Sequence, residues 1–482
     1  MNVPNITIAD FLPLIPEIIV LVGAFGILML DLFINERNRV VTHVASLVVL
    51  AIALFALVTG VGGHGAVLNS MFIRDTASDV MSGWIVALTG VAMVFAYPYF
   101  RAKGTYQGEI SVLMLFATLG MMLLVSAGNM TMIYVALEML ALCSYALVVC
   151  ERESPRGSEA GIKYFVLGAL ASGLLLYGMS LIYGGTGTLD LAAISQALTS
   201  GGANAMLVTG MVFVVVGIAF KFGAAPFHMW LPDVYDGAPA PITLFIGSAP
   251  KIAAFGMAYR MLEQGTGPLG DHWQLILAAL ACLSLAIGNL SALRQTNIKR
   301  LLAYSTVSHV GFLFIGLASG GPEGYAAALF YAITYAIMSA CAFGVVAYLS
   351  RQGFEADQLS DYAGLSKRKP WVAFMMLMAM ASMAGVPPWM GFWAKWSVLW
   401  SAVHSDMVWL AIVGIVAAVI GAFYYLKVIK VMYFDDVPEH AAIELRDDGV
   451  SEGMLTVLGV SLLVLGLFFD PIMQWCRWAF GA

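Results

Sequence analysis

Ala205-Met-Leu-Val-Thr-Gly-Met-Val-Phe-Val-Val-Val-Gly-Ile-Ala-Phe-Lys221-Phe-Gly-Ala-Ala-Pro226-Phe-His228 runs apolar for sixteen positions, then meets a lysine, a proline and a histidine within eight. With the residues up to Ala225 the window is long enough for a bilayer span. Proline removes a backbone hydrogen bond and clashes one turn back, so the span is predicted to break there. A broken helix in lipid persists only where its freed carbonyls face protein or a wet cavity. The surrounding chain fits a membrane. It has 482 residues, 61% hydrophobic and 11% charged, against about 25% charged in soluble domains. Its mean hydropathy is +0.88. A soluble globular enzyme and any sizeable water-soluble domain are excluded, and the length leaves room for about fourteen transmembrane helices.

Apolar windows place these helices at about 11–33, 41–61, 78–98, 109–127, 129–149, 160–184, 205–225, 240–262, 272–292, 300–319, 324–349, 371–403, 406–433 and 453–476. The runs are continuous and rich in Leu, Ala, Met and Gly, unlike the ten-residue alternation of a membrane barrel. The predicted fold class is all-α and polytopic, a single transmembrane domain over 1–482. A second proline break occurs in Ala384-Gly-Val-Pro387-Pro388-Trp-Met-Gly-Phe-Trp-Ala-Lys395. Pro226 and Pro387 lie about 161 residues apart, and the fourth and ninth helices start about 163 apart, which suggests two five-helix repeats. An odd helix number inverts the second repeat relative to the first. The expected division is three N-terminal helices (1–108), repeats at 109–271 and 272–434, and a C-terminal helix (435–482).

Basic residues set orientation, because loops rich in Lys and Arg resist translocation. About sixteen of the 23 fall in connections after odd-numbered helices, namely Arg37, Arg39, Arg101, Lys103, Arg152, Arg156, Arg294, Lys299, Arg300, Arg351, Lys367, Arg368, Lys369, Lys427, Lys430 and Arg446. The opposite side has Arg74, Arg260 and Arg477. Both termini are therefore expected outside. Residues 227–239 lie on the basic side without any Lys or Arg, which calls for an explanation. The first ten residues lack the basic start of a cleaved signal, so the first helix is expected to stay. The five cysteines form no CxxC pair, so neither a disulfide framework nor an iron–sulfur site is expected. Nucleotide-binding and zinc-hydrolase motifs are absent from the sequence.

Lys163, Lys221, Lys251 and Lys395 remain, all inside apolar spans, together with Glu138 in the fifth. A charge at the bilayer centre costs roughly 2.5 to 3.5 kcal/mol on insertion scales, so five of them point to a buried polar path. Lys163 has a second reading, since it lies one turn after Glu159 and could reach the helix end. If Glu138 pairs with Lys221, loosening the pair would let the lysine release a proton. Lysine suits this because its pKa moves on burial, whereas arginine stays charged. Of the seven histidines, His228 and His309 lie at plausible membrane depth and fit proton relays better than haem or metal ligands.

The segment Pro226-Phe-His-Met-Trp-Leu-Pro-Asp-Val-Tyr-Asp-Gly-Ala-Pro-Ala-Pro241, followed by Lys251, resembles the proton-pumping subunit family of NADH–quinone oxidoreductase and its relatives among multisubunit sodium/proton antiporters. So do residues 288–311, the second break ending at Lys395, and the opening Leu14-Ile-Pro-Glu-Ile-Ile-Val-Leu-Val-Gly23. The resemblance covers nearly the whole chain. The stretch Asp233-Val-Tyr-Asp-Gly-Ala-Pro239 and the lysine, rather than glutamate, at 395 resemble the N-type branch. The lack of a long lateral C-terminal helix separates the chain from the L-type. The resemblance implies proton translocation through Glu138, Lys221, Lys251 and Lys395, with Lys163, His228 and His309 as relays. It implies no cofactor or metal in this chain. NADH, FMN, iron–sulfur clusters and quinone would belong to the complex as a whole. Expected partners are neighbouring antiporter-like and small membrane subunits and the lipid bilayer, not nucleic acid. The expected location is a bacterial inner membrane, with both termini periplasmic. The alternative is a subunit of an Mrp-type cation/proton antiporter.

Overall fold

The computed structural model describes residues 8–35, 38–350, 354–437 and 448–482. The first seven residues and Arg37, Arg351, His440 and Arg446 lie outside the described residues. The helices are α1 (Ile15–Asp31), α2 (Val40–Val58), α3 (Thr76–Lys103), α4 (Gly108–Val125), α5 (Met130–Val148), α6 (Pro155–Thr186), α7 (Leu191–Gly201), α8 (Ala205–Phe222), α9 (Trp230–Gly237) and α10 (Ala240–Gly247). They continue as α11 (Ala249–Ala258), α12 (Gly270–Leu293), α13 (Ile298–Ser319), α14 (Gly321–Leu349), α15 (Leu365–Arg368), α16 (Pro370–Ala384), α17 (Met390–His404), α18 (Val408–Phe434), α19 (Gly449–Leu467) and α20 (Asp470–Phe480). A small hairpin, β1 (Gly65–Val67) with β2 (Phe72–Arg74), precedes α3.

Local chemistry sets the ends. Asp75, Asn129, Ser154, Asp190, Asn204 and Asn297 each accept a backbone N–H of the first turn that follows, which satisfies donors the helix cannot pair itself. Among the described residues twelve helices are long and apolar enough to cross a membrane. With the 17-residue α1 and the interrupted α16–α17 pair, they make up the fourteen expected passes.

Four expectations change in detail. The window 240–262 is two helices meeting at Ser248, and it ends in a π-helical turn over Tyr259–Gly265. The window 453–476 is α19 followed by the separate α20, so the expected single C-terminal helix is two. The amphipathic α7 lies between the sixth and seventh passes with too few residues to span. The break in the seventh pass is closed by α9, which folds back beside α6 and α13.

Helix α14 is buried from Gly324 almost to its end, with α10, α11 and α13 around it. Its hydroxyls can therefore bond only to protein or enclosed water. The outer helices turn large apolar side chains outward, such as Val22 on α1 and Phe423 on α18, as a lipid solvent requires. Helices α6 and α8 meet backbone to backbone. A Cβ on Gly178 would lie 2.6 Å from the Gly210 carbonyl oxygen, and one on Gly210 would lie 2.9 Å from that of Gly178. Small residues at such crossings let membrane helices pack closely, and here they seat the helix that carries Lys221.

Candidate functional site

Both interrupted passes end in the same way. The N–H of Gly223 donates to the Phe220 carbonyl and that of Ala224 to Ala219. The N–H of Gly385 donates to Ser382 and that of Val386 to Ala381. This is the two-bond cap of a helix closed by a left-handed residue, and both glycines have the positive φ it needs, +76° and +84°. Gly223 and Gly385 are 162 residues apart, and so are Pro226 and Pro388. The repeat therefore aligns Pro226 with Pro388, not with Pro387 as the sequence suggested.

The cap leaves the last carbonyls of each half-helix unpaired, and in each break a lysine takes them. Lys251 Nζ, from α11, donates to the Phe222 oxygen at 2.8 Å. Lys395 Nζ, from α17, donates to the oxygens of Met383 and Ala384 at 2.9 and 3.0 Å. Phe222 and Ala384 are equivalent positions in the two repeats, though the lysines come from different elements. Both ammonium groups also lie over aromatic rings, Lys251 over Trp230 at 5.6 Å and Lys395 over Phe312 at 5.2 Å. A helix C-terminus and its carbonyls stabilise a cation by a few tenths to about 2 kcal/mol, less than a buried carboxylate would. Such a lysine is held in place without being locked in its charged form.

Lys221 stands in the last turn of α8. Among the described residues it forms no ion pair with Glu138 within 4 Å, so the expected direct pair is absent. One carboxylate oxygen of Glu138 is buried without a hydrogen-bond partner among the described residues. A cavity of about 20 Å³ is bounded by Ser144, Tyr164, Lys221, Trp230 and Lys251. That is room for one water, which could connect the two lysines.

His309 is the centre of a network the sequence reading missed. Its Nδ1 is 2.7 Å from the Tyr331 hydroxyl and its Nε2 is 2.9 Å from that of Tyr425. Tyr425 also meets Ser305 at 2.5 Å and Tyr424 at 3.3 Å, and Tyr424 donates to Asn289. Beside it Thr306 meets the Tyr335 hydroxyl at 2.7 Å, while Tyr235, Thr334 and Ser339 have buried hydroxyls without a hydrogen-bond partner among the described residues. Unpartnered buried hydroxyls mark places for enclosed water. The spacing carried a signal: Ser305 and His309, like Tyr331 and Tyr335, are one helical turn apart on helices long and apolar enough to span. His228 is only partly buried, and its Nδ1 has no partner among the described residues. It does not join the lysines directly.

Lys163 is a correction. Its side chain is 43% exposed and pairs with both Glu159 and Asp233 at 2.8 Å, so it belongs to a charged surface cluster and not to the buried series. That cluster also explains residues 227–239. Asp233 on α9 pairs with Lys163 and Arg300, and Asp236 pairs with Arg156 and receives a hydrogen bond from Asn297. The stretch lacks cations because its two acids neutralise those of neighbouring elements. Burial alone would raise the Asp233 carboxyl, but Lys163 and Arg300 hold it below its usual range. Glu355 behaves alike: burial is outweighed by Lys299 and Lys103, which keep its carboxyl low. Arg74 and Arg260, expected in outer loops, are both buried, and Arg260 is fully so. Among the described residues no group of three or more His, Cys, Asp or Glu could hold a metal.

The family described as NADH:quinone oxidoreductase/Mrp antiporter, TM, matches residues 127–421, which contain both breaks. A chain named NADH-quinone oxidoreductase subunit N from Xanthomonas euvesicatoria pv. vesicatoria is 57% identical over 476 residues, 99% of this chain and 98% of that one. A chain of the respiratory complex I of Thermus thermophilus, solved with bound aureothin, superposes with a TM-score of 0.82 at 31% identity, covering 95% of this chain and 99% of that one. A chain of the Mrp complex from Dietzia sp. DQ12-45-1b shares the fold, with a TM-score of 0.85 at 22% identity over 99% and 97% of the two chains. The chain belongs to the NADH:quinone oxidoreductase/Mrp antiporter transmembrane family, in its subunit N branch.

Proposed function

We propose that this chain is a proton-translocating membrane subunit of an NADH–quinone oxidoreductase, and that Glu138, Lys221, Lys251, His309 and Lys395 carry the protons. NADH, FMN, iron–sulfur clusters and quinone would act in other subunits. The observation that supports the reading most directly is the pair of buried lysines capped by backbone carbonyls, with the Tyr331–His309–Tyr425 chain in the same interior. A second positive charge brought to about 7 Å at an effective dielectric near 20 is worth about 2.4 kcal/mol, close to two pKa units, and so favours loss of the proton from such an ammonium. Neutral His309 has one donating and one accepting nitrogen, so it gives the hydroxyl chain a direction that a change of tautomer reverses.

The reading places the chain in a bacterial inner membrane beside other membrane subunits. The charged end, with Lys103, Arg156, Asp233 and Arg300, would face the cytoplasm, and both termini would lie outside. Moving one charge outward costs about 2.3 kcal/mol per 100 mV, which quinone reduction elsewhere would supply. Lys163 and His228 would act at the cytoplasmic mouth and not on the central path. The Mrp-type alternative rests on likeness of fold. The test is Lys395→Ala in the assembled complex, with quinone reduction and proton pumping measured together. We expect a lower proton yield per electron, and normal pumping would remove Lys395 from the path.

A further inference from the structure

Helix α11 carries Lys251 near its start and continues through Ile252 to Ala258 without a polar side chain, every one of these residues being buried. Val125 and Met81 close around Gly256 on the same stretch. Nine residues after Lys251, or about 13 Å along a helix, comes Arg260, fully buried in the π-helical turn. Its Nε donates to the Val125 carbonyl at 2.9 Å, its Nη1 to Gln264 at 2.9 Å, and its fork grips Asp75, with contacts at 2.8 and 2.9 Å. Asp75 is about one-third exposed and caps α3 through the Ser78 N–H. The way out from Lys251 along this helix is thus an apolar stretch, then a permanent cation, then a carboxylate that meets solvent.

We infer that Arg260 is an electrostatic barrier that keeps the proton on Lys251 from reaching the outer side, making it a positioning and selectivity residue of the transport path. A guanidinium stays charged at any physiological pH, and a fixed positive charge at a constriction repels protons and other cations, as arginine does in pores that exclude them. Lys251 is open instead toward Phe222 and the small cavity it shares with Lys221. Its exchange is then confined to the interior path, and outward release must occur elsewhere.

The inference rests on the proton path proposed above, and its test reads passive leak without electron donor, so that its failure is separable from failure of that path. Vesicles carrying the assembled complex are given a pH jump, and proton entry is followed per assembled complex. Arg260→Gln is expected to raise the leak about tenfold, with quinone reduction retained. Arg260→Lys, which keeps the charge, is expected to leave it near the parent value. Because Arg260→Gln strands Asp75, the double variant Arg260→Gln/Asp75→Asn removes both charges and should leak like the single one. Asp75→Asn alone, which keeps the cation, should not leak. An unchanged leak in the double variant, or an equal leak in Asp75→Asn, would overturn the barrier and leave Arg260 a structural clamp.

Discussion

At Lys395 the ammonium has two carbonyl oxygens at 2.9 and 3.0 Å and an aromatic face, and no carboxylate partner among the described residues. If its task is to release a proton, keeping the charge without the ability to lose it should abolish the task. Lys395→Arg is therefore expected to reduce the proton yield per electron as severely as Lys395→Ala, because arginine retains its proton. Normal pumping by the arginine variant would show that charge alone matters there. The same logic applies to the hydroxyl that Tyr425 shares with Ser305, Tyr424 and His309. Tyr425→Phe leaves His309 Nε2 without that partner, at a cost of about 1 to 3 kcal/mol, and interrupts the chain. Slower proton translocation in an assembled complex, with quinone reduction lowered only as far as the two are coupled, is the expected result of paired rate measurements.

At the scale of the element, both breaks depend on a glycine in left-handed backbone. An added Cβ costs about 1 to 2 kcal/mol in that conformation. At Gly385 it would also sit 2.9 Å from Lys395 Cδ, whereas at Gly187, which ends α6 with φ +73°, it would meet nothing within 4 Å. Gly385→Ala and Gly187→Ala thus carry a similar backbone penalty, and only the first displaces a lysine. Pumping is expected to fall in Gly385→Ala and to stay near normal in Gly187→Ala, with comparable thermal stability in the two. Equal pumping in both would separate the lysine from the geometry of the break. The breaks were legible in the sequence because each proline stands just after a glycine and near a lysine, whereas Pro98, in an apolar run without such a glycine, leaves α3 continuous. Their alignment was off by one because Pro387 and Pro388 are adjacent, and only the caps at Gly223 and Gly385 decide which matches Pro226.

At the scale of the molecule, the apolar windows gave the fourteen passes, and burial of Lys251 and Lys395 followed from their place inside them. The exposure of Lys163 and the full burial of Arg260 were not legible, because position along a helix does not reveal which face a side chain takes. That face is set by neighbours such as Asp233 and Asp75, far away in sequence. The same long-range pairing holds one end of the bundle together. Glu355 binds Lys103 and Tyr99 and lies 3.7 Å from the buried Lys299, which also donates to Ala238 at the end of α9. Removing the carboxylate leaves Lys299 with a single carbonyl, so Glu355→Gln should destabilise by about 3 kcal/mol, the lower end for breaking a buried pair. The pH dependence has a definite sign. The folded carboxyls of Glu355 and Asp233 titrate below their usual range, so their contribution is complete above the unfolded carboxylate pKa of about 4 and is lost as pH falls through the folded values. The detergent-solubilised complex should therefore lose thermal stability on acidification below about pH 4. Glu355→Gln should start lower at neutral pH and fall less steeply. Identical acid profiles for the parent and Glu355→Gln would show that this end of the bundle is held by its apolar packing and not by its charges.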